Sequence, residues 1–154
     1  MKKYSFFLLT GFIIVLAACN NSEEPHNAKT TRSAEDSLLD KVNEGHEVAM
    51  NNMGKLDRAK EHVSHLIDSL KELPAKAQAE AAPLRAKLDG LLLDLDNAYN
   101  SMNKWMDEFQ PDTALSDAKE KVKYFISENE KVVKVKDAIL SSLGKADSLL
   151  KRTF

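Results

Sequence analysis

Cysteine is nearly absent from this 154-residue chain, which contains it once, as Cys19. A single cysteine excludes an intrachain disulfide framework. Glycine and proline are also scarce, with 5 and 4 residues, so few signals interrupt long helices. No Asn-Gly pair is present, and the Asp89-Gly90 pair lies inside a helical pattern. These absences argue against a β fold built from hairpins.

An excess of positive charge is also missing, since the formal net charge is −2. Residues 1–18 contain Lys2 and Lys3 and no acid, so the remainder has 20 basic and 24 acidic side chains, a net charge of −4. Without a basic patch the chain has little means of neutralising phosphates, which excludes nucleic acid as the expected partner. The interspersed charges suit the solvated faces of long helices.

Residues 1–18 predict a signal peptide, because Lys2 and Lys3 precede an apolar run too short to span a membrane. Leu16-Ala17-Ala18-Cys19 resembles the lipobox of bacterial lipoproteins, whose cysteine is lipid-modified and becomes the first mature residue. This resemblance implies acylation of Cys19 and stable attachment to a membrane outside the cytoplasm. The outer membrane is favoured, and its periplasmic or surface side is left open. An ordinary secretory signal with a chance cysteine is the alternative.

Residues 19–33 predict a lipidated cysteine followed by a flexible tether, since the segment is polar and has no apolar periodicity. Ser33 is placed to cap a helix, with Asp36 three residues later in a capping-box arrangement. From there to the last residue, three long amphipathic patterns follow one another. We therefore expect a single helical domain over 34–154.

The apolar residues of this domain recur at alternating three- and four-residue intervals, the heptad pattern of packed helices. The pattern predicts helices over about 34–73, 83–110 and 113–152. Pro74 ends the first helix and Pro83 suits the first turn of the second, while residues 75–82 fit either a helical turn or a loop. Short connections make neighbouring helices antiparallel. The predicted fold is all-α, an elongated, coiled-coil-like, antiparallel up-down-up three-helix bundle.

Three groups of residues resemble a known family. They are His46-Glu47-x-x-Met50-x-x-Met53-Gly54 with a following Leu56, Ala98-x-x-x-Met102-x-x-Trp105-Met106-x-x-Phe109, and Tyr124-Phe125 followed by Ile139. Together they resemble small Gram-negative lipoproteins labelled "viral A-type inclusion protein", over nearly the whole mature chain. His46-Glu47 departs mildly from the family's usual His-Asp. The resemblance implies a helical lipoprotein and no established activity.

Every methionine except the initiator lies in one of two short windows, beside His46 in the first predicted helix or beside Trp105 in the second. Folding these helices about the turn near 74 places the windows at the same height, because both share a rise of 1.5 Å per residue. We therefore expect one layer that contains Trp105 and these residues: His46, Met50, Met53, Met102, Met106. The third helix is expected to cover this layer around residues 115–122.

Two interpretations of the layer are open. Thioethers select Cu(I) and imidazole also binds copper, so His46 with several methionines could form a site for this ion. Methionine is also a common gap-filler in helical cores, and a buried histidine can be structural, which makes core packing the favoured interpretation. No other cofactor is expected. His62 and His65 are three residues apart but too few for a zinc site, and solvated histidines are expected there.

No nucleophile–base pair, phosphate loop or paired-acid motif can be recognised, so an enzyme is not expected. Two non-enzymatic functions are left. The first is a membrane-anchored envelope module that binds a helical partner or a second copy of itself. The alternative is a lipoprotein that binds or sequesters Cu(I). A large exposed apolar patch would favour the first.

Overall fold

The computed structural model describes residues 33–111 and 117–153. These residues form three α-helices and no strand: α1 (Ala34–Lys71), α2 (Ala75–Glu108) and α3 (Ala118–Thr153). Each helix packs against both others, which confirms the predicted all-α three-helix bundle. The predicted signal peptide, Cys19, the tether before residue 33 and the predicted start of the third helix at 113 lie outside the described residues.

The start of α1 follows the predicted cap. Ser33 has an extended backbone, and its Oγ accepts a hydrogen bond from the Asp36 N–H at 3.0 Å. This bond satisfies one of the free amides of the first turn, and the carboxylates of Glu35 and Asp36 lie at the positive end of the helix dipole. Lys71 in the last turn is favourable at the opposite end.

Helix α2 begins at Ala75, eight residues earlier than the predicted start at 83. The segment before Pro83 is rich in alanine, lysine, glutamine and glutamate, which are strong helix formers. Pro83 therefore lies inside the helix. Pro83 has no N–H to donate to the carbonyl of Ala79. Ala79 is exposed, however, so water can satisfy that oxygen. Helix propensity and solvent access thus outweigh the break that proline signals.

Helix α3 begins at Ala118. The Asp117 carboxylate accepts the Lys119 N–H at 2.9 Å, and the Asp117 carbonyl accepts the N–H groups of Glu120 and Lys121 at 3.1 Å. Asp117 therefore caps this helix in the way that Ser33 caps α1.

Contacts along the helices establish the up-down-up order. His46 in α1 lies against Trp105 in α2, and further along α1 Lys60 pairs with Asp96, so α1 and α2 are antiparallel. Lys121 near the start of α3 pairs with Glu35 near the start of α1, which makes those two helices parallel. The core is built from the apolar residues of this three- and four-residue spacing, with Val42, Leu56, Leu95, Val132 and Ile139 fully buried. None of the described helices combines the length and apolar character that crossing a membrane requires.

Candidate functional site

The predicted pairing of His46 with Trp105 is present. Their ring centroids lie 5.5 Å apart with an interplanar angle of 39°. Trp105 is buried and His46 is half-buried at the edge of the core. The antiparallel hairpin through residues 72–74 brings these two residues to the same height, because both helices share one rise per residue.

Trp105 also bonds to a buried carboxylate on α3. Its Nε1–H donates to Glu128 Oε2 at 3.0 Å, and Lys131 Nζ donates to Glu128 Oε1 at 2.7 Å. Glu128 is only 3% exposed, whereas the Lys131 side chain is half exposed. The hydrogen bond to Glu128 raises the pKa of Lys131 above its ordinary value. Each oxygen of the buried carboxylate therefore has a donor, the condition under which burial of a charge is tolerated.

An aromatic row continues from Trp105 toward the α2–α3 connection. Phe109 stacks on Trp105 at 4.8 Å, and Tyr124 stacks on Phe109 at 6.3 Å. Phe125 meets the Tyr124 ring edge-on at 5.4 Å, and the Tyr124 hydroxyl accepts the Gln110 backbone N–H at 2.8 Å. These contacts join the end of α2 to the first turns of α3 and fix the height at which the two helices meet.

The methionines are distributed over several environments. Met102 is fully buried in the hydrophobic core, and Met53 and Met106 are partly buried against that core. Met50 is 40% exposed and lies outside the core cluster. Met50 precedes Met53 by three residues, less than a full turn of helix, so its side chain is rotated away from the core. Met53, Met102 and Met106 thus lie in or against the core and His46 contacts Trp105, whereas Met50 lies on the surface.

The third helix meets this layer at a different height from the predicted one. Trp105 contacts Glu128, and a Cβ placed on Gly45 would come within 2.9 Å of Val132 Cγ1. Residues 124–132 therefore cover the layer, and the prediction of 115–122 was wrong. The cause is the long connection between α2 and α3, because α3 starts at 118 and each added connecting residue shifts the facing position along the helix.

Among the described residues, no group of three or more histidine, cysteine, aspartate or glutamate side chains is placed to hold an ion. His62 and His65 are both exposed on α1, as solvated histidines would be. His65 contributes, after the hydrogen bond and charge of Lys71, to a lowered pKa of Asp68.

A surface groove runs between α1 and α3, and we call it the α1–α3 groove. Its middle part has a volume of about 380 Å³ and is lined by Ala59 and polar residues of α1 and by Leu140, Leu143, Gly144 and Leu150 of α3. It continues past His62 and Leu66. Leu140 is 42% exposed, and a Cβ at Gly144 would meet no atom within 4 Å. The α3 side of the groove is therefore mostly apolar, with Asp147 as its charged residue, and the groove is open to solvent.

Two of the buried side chains were missed at the sequence level. The structure buries Glu128 and Ser142 of α3, two polar residues that the apolar pattern does not mark as core positions. The available signal was that Glu128 lies at core spacing between Phe125 and Val132, but an acid at such a position is normally assigned to a solvated face. Its partner Trp105 is distant in sequence, so the hydrogen bond that justifies its burial could not be anticipated.

Comparison with known proteins found no family model, no curated protein and no solved structure that matches this chain.

Proposed function

We propose that this chain is a membrane-anchored, non-enzymatic lipoprotein of the cell envelope whose three-helix bundle binds a helical partner. The observation that carries the proposal is the row of exposed apolar side chains beside the α1–α3 groove. Val48 on α1 and Ile126 and Leu140 on α3 are all more than a third exposed, and the half-buried Val133 lies between the last two. Apolar residues spaced along one helix face are what helix-in-groove recognition uses.

The anchor is proposed from Leu16-Ala17-Ala18-Cys19 and from the polar segment that follows. It is tested by expressing the whole chain in a Gram-negative bacterium and measuring the mass and membrane partition of the product. The proposal requires cleavage before Cys19, a mass increase from acyl chains, and recovery in the membrane fraction. Cys19→Ser should be left unacylated. An unmodified Cys19 in the wild-type product would contradict the anchor.

The interaction surface is tested with a photo-reactive amino acid placed at Leu140, with Leu93 as the matched control. Leu93 is 61% exposed on α2, so it reports the background on a surface of the same chemistry. We expect protein adducts from position 140 in intact cells and none from position 93. Equal adducts at both positions, or none at either, would contradict a specific interaction surface.

Copper binding is the second candidate, supported by the contact of His46 with Trp105 and by the three methionines in or against the same hydrophobic core. An imidazole with two or three thioethers is a donor set that Cu(I) favours. Anaerobic titration of the mature chain with Cu(I) against a competing chelator tests it. One-to-one binding that is lost in His46→Ala with Met53→Leu, which removes the histidine and a methionine packed against the core, would establish this candidate. Binding no tighter than that of the double variant would leave core packing as the role of the layer.

A further inference from the structure

The two walls of the α1–α3 groove differ in charge. The α1 wall presents Lys55 and Arg58, and the α3 wall presents Asp147. Lys151 Nζ lies 3.2 Å from the Asp147 carboxylate, so the charge of the α3 wall is balanced. Among residues 33–111 and 117–153, no acid forms an ion pair with Lys55 or Arg58. The α1 wall therefore carries two uncompensated positive charges.

The positive charge is held on this edge of α1. The Asn52 side-chain amide donates to the Val48 carbonyl at 2.8 Å, and its Oδ1 accepts from Lys55 Nζ at 3.2 Å. Asn52 itself lines the groove, so Lys55 is held at its rim. The acids nearest in sequence, Asp57 and Glu61, line the opposite groove, between α1 and α2. A basic edge thus stands out in a chain whose net charge after residue 18 is −4.

The floor between these walls is apolar. It is formed by alanine and leucine side chains of both helices: Ala59, Leu143, Ala146, Leu150. At the α3 rim Leu140 is 42% exposed, and the space above Gly144 is empty. Because Gly144 has no side chain, a large side chain of a second molecule can approach the α3 backbone there. The groove therefore combines an apolar floor, a notch at Gly144 and one basic edge.

The shape of the groove fits a helix better than a small molecule. Residues 52–66 of α1 border the groove and its continuation, a length of about 21 Å, or about four helical turns. The groove is open along this length, so a single acyl chain or another small ligand would stay in contact with water, unlike a ligand in an enclosed pocket. An amphipathic helix covers an open groove with its apolar face and keeps its polar face in solvent.

We infer that the helical partner is a segment of another protein, an amphipathic helix with aspartate or glutamate along the flank that faces α1. This inference rests on the proposed interaction function and names the chemistry of its partner. Carboxylates on that flank would neutralise Lys55 and Arg58, whereas the α3 rim needs no further charge because Asp147 is already paired. A helix with lysines on the same flank would be repelled, so the basic edge selects among helices of similar apolar pattern.

Photo-cross-linking in intact cells identifies the segment that occupies the groove. The full chain carries a photo-reactive amino acid at Leu140, and the adduct is digested and sequenced by mass spectrometry. We expect a segment of another protein that has apolar residues at helical spacing and acids along one flank. A segment without those acids, or a segment of this chain itself, would overturn the inference.

Charge reversal tests the role of the basic edge. Lys55→Glu with Arg58→Glu should lower the yield of the Leu140 adduct by about tenfold, because two attractive contacts become repulsive. Lys76→Glu with Lys87→Glu on α2 is the matched control, since both lysines are exposed and the net charge changes equally. The control should keep its adduct. An equal loss in both variants would show that net charge alone matters and would overturn the inference.

A reciprocal exchange of charge tests the pairing directly. Replacing the flank acids of the sequenced segment with lysine should remove the adduct with the wild-type chain. The same segment should regain the adduct with the chain that carries Lys55→Glu and Arg58→Glu, because the signs of both partners are then reversed. Failure to regain it would overturn the pairing.

Gly144→Leu tests the notch without weakening the fold. Leucine is a better helix former than glycine, and a Cβ at this position would meet no atom within 4 Å. Urea unfolding should therefore show a bundle at least as stable as the wild type, while the Leu140 adduct is lost because the notch is filled. An unchanged adduct would place the partner outside the groove and overturn the inference.

Two outcomes separate this inference from the proposed function. A specific adduct at Leu140 whose segment is not acidic, or whose yield is unaffected by charge reversal at Lys55 and Arg58, would overturn the inference and retain the interaction surface. No adduct at Leu140 would overturn both.

Discussion

The two halves of the bundle are held together by different chemistry. Near Trp105, a buried carboxylate, stacked aromatic rings and a glycine against a valine define the contact between helices. Beyond Leu56, the core consists of aliphatic side chains such as Val63, Ile67, Leu88 and Ala146. The first half, which we call the Trp105 half, uses contacts that only one alignment of the helices satisfies. The second, which we call the aliphatic half, would tolerate a shift in register more easily, because aliphatic side chains can repack.

Replacement of Trp105 is the most severe way to test this difference. Trp105→Ala should lower the free energy of unfolding by about 3–5 kcal/mol, because it removes a large buried ring and leaves the Oε2 atom of Glu128 without its donor. Urea unfolding followed by circular dichroism measures the change. Leu93→Ala is the control, since its side chain is exposed and its loss should change stability by less than about 0.5 kcal/mol. A loss below about 1 kcal/mol for Trp105→Ala would show that the Trp105 half does not hold the bundle together.

Removal of the buried carboxylate should have the next largest effect. Glu128→Leu leaves the Trp105 N–H unsatisfied and should cost about 1–3 kcal/mol. In a Trp105→Phe background the same change should cost clearly less, because no donor is then orphaned. In the aliphatic half, Ser142 Oγ donates to the Asp94 carbonyl at 3.3 Å, and Ser142→Ala should cost only about 0.5–1.5 kcal/mol. Equal costs for Glu128→Leu in the wild-type and Trp105→Phe backgrounds would disprove the energetic coupling between Glu128 and the Trp105 N–H.

Two glycines of α1 provide a smaller and sharper contrast. A Cβ at Gly45 would lie 2.9 Å from Val132 Cγ1, whereas a Cβ at Gly54 would meet only the Arg58 guanidinium at 3.6 Å. Gly54→Ala should therefore stabilise the protein by about 0.5–1 kcal/mol through helix propensity. Gly45→Ala should destabilise it, because the branched side chain of Val132 has little freedom to move. Combining Gly45→Ala with Val132→Ala should relieve the clash, and thermal unfolding of these three variants, together with Val132→Ala alone as the fourth, checks the order.

The smallest effect is expected at the exposed Asp68. Lys71 donates to its carboxylate at 2.8 Å and holds its pKa below the ordinary value. A lowered folded-state pKa means that the contribution to stability is present above the unfolded pKa and is lost as pH falls through the folded value. Asp68→Asn should therefore melt slightly below the wild type at about pH 7, and the difference should vanish well below about pH 4. A difference that grows on acidification would contradict this pairing.

The sequence predicted the parts of the structure that depend on local periodicity. The spacing of Val42, Leu56 and Leu95 identified core faces, and a shared helical rise brought His46 to the height of Trp105. It failed where the outcome depends on distant partners or on the length of a connection. Glu128 is buried because of Trp105, and the height of α3 depends on the chain between α2 and α3. The anchoring at Cys19, the copper site and the family resemblance are still predictions.

The corner between α1 and α2 determines where the bundle first opens. The amide of Gln78 donates to the carbonyls of Lys71 and Leu73, both at 2.7 Å, and this single side chain closes the end of α1. The segment from Ala75 to Pro83 is mostly exposed, has no side-chain cap, and ends in a residue that cannot donate to the helix. Such a segment unfolds locally at low free energy. Its amides should therefore exchange with deuterium long before those of the buried seam, and a protease should cut the folded protein first in these two turns.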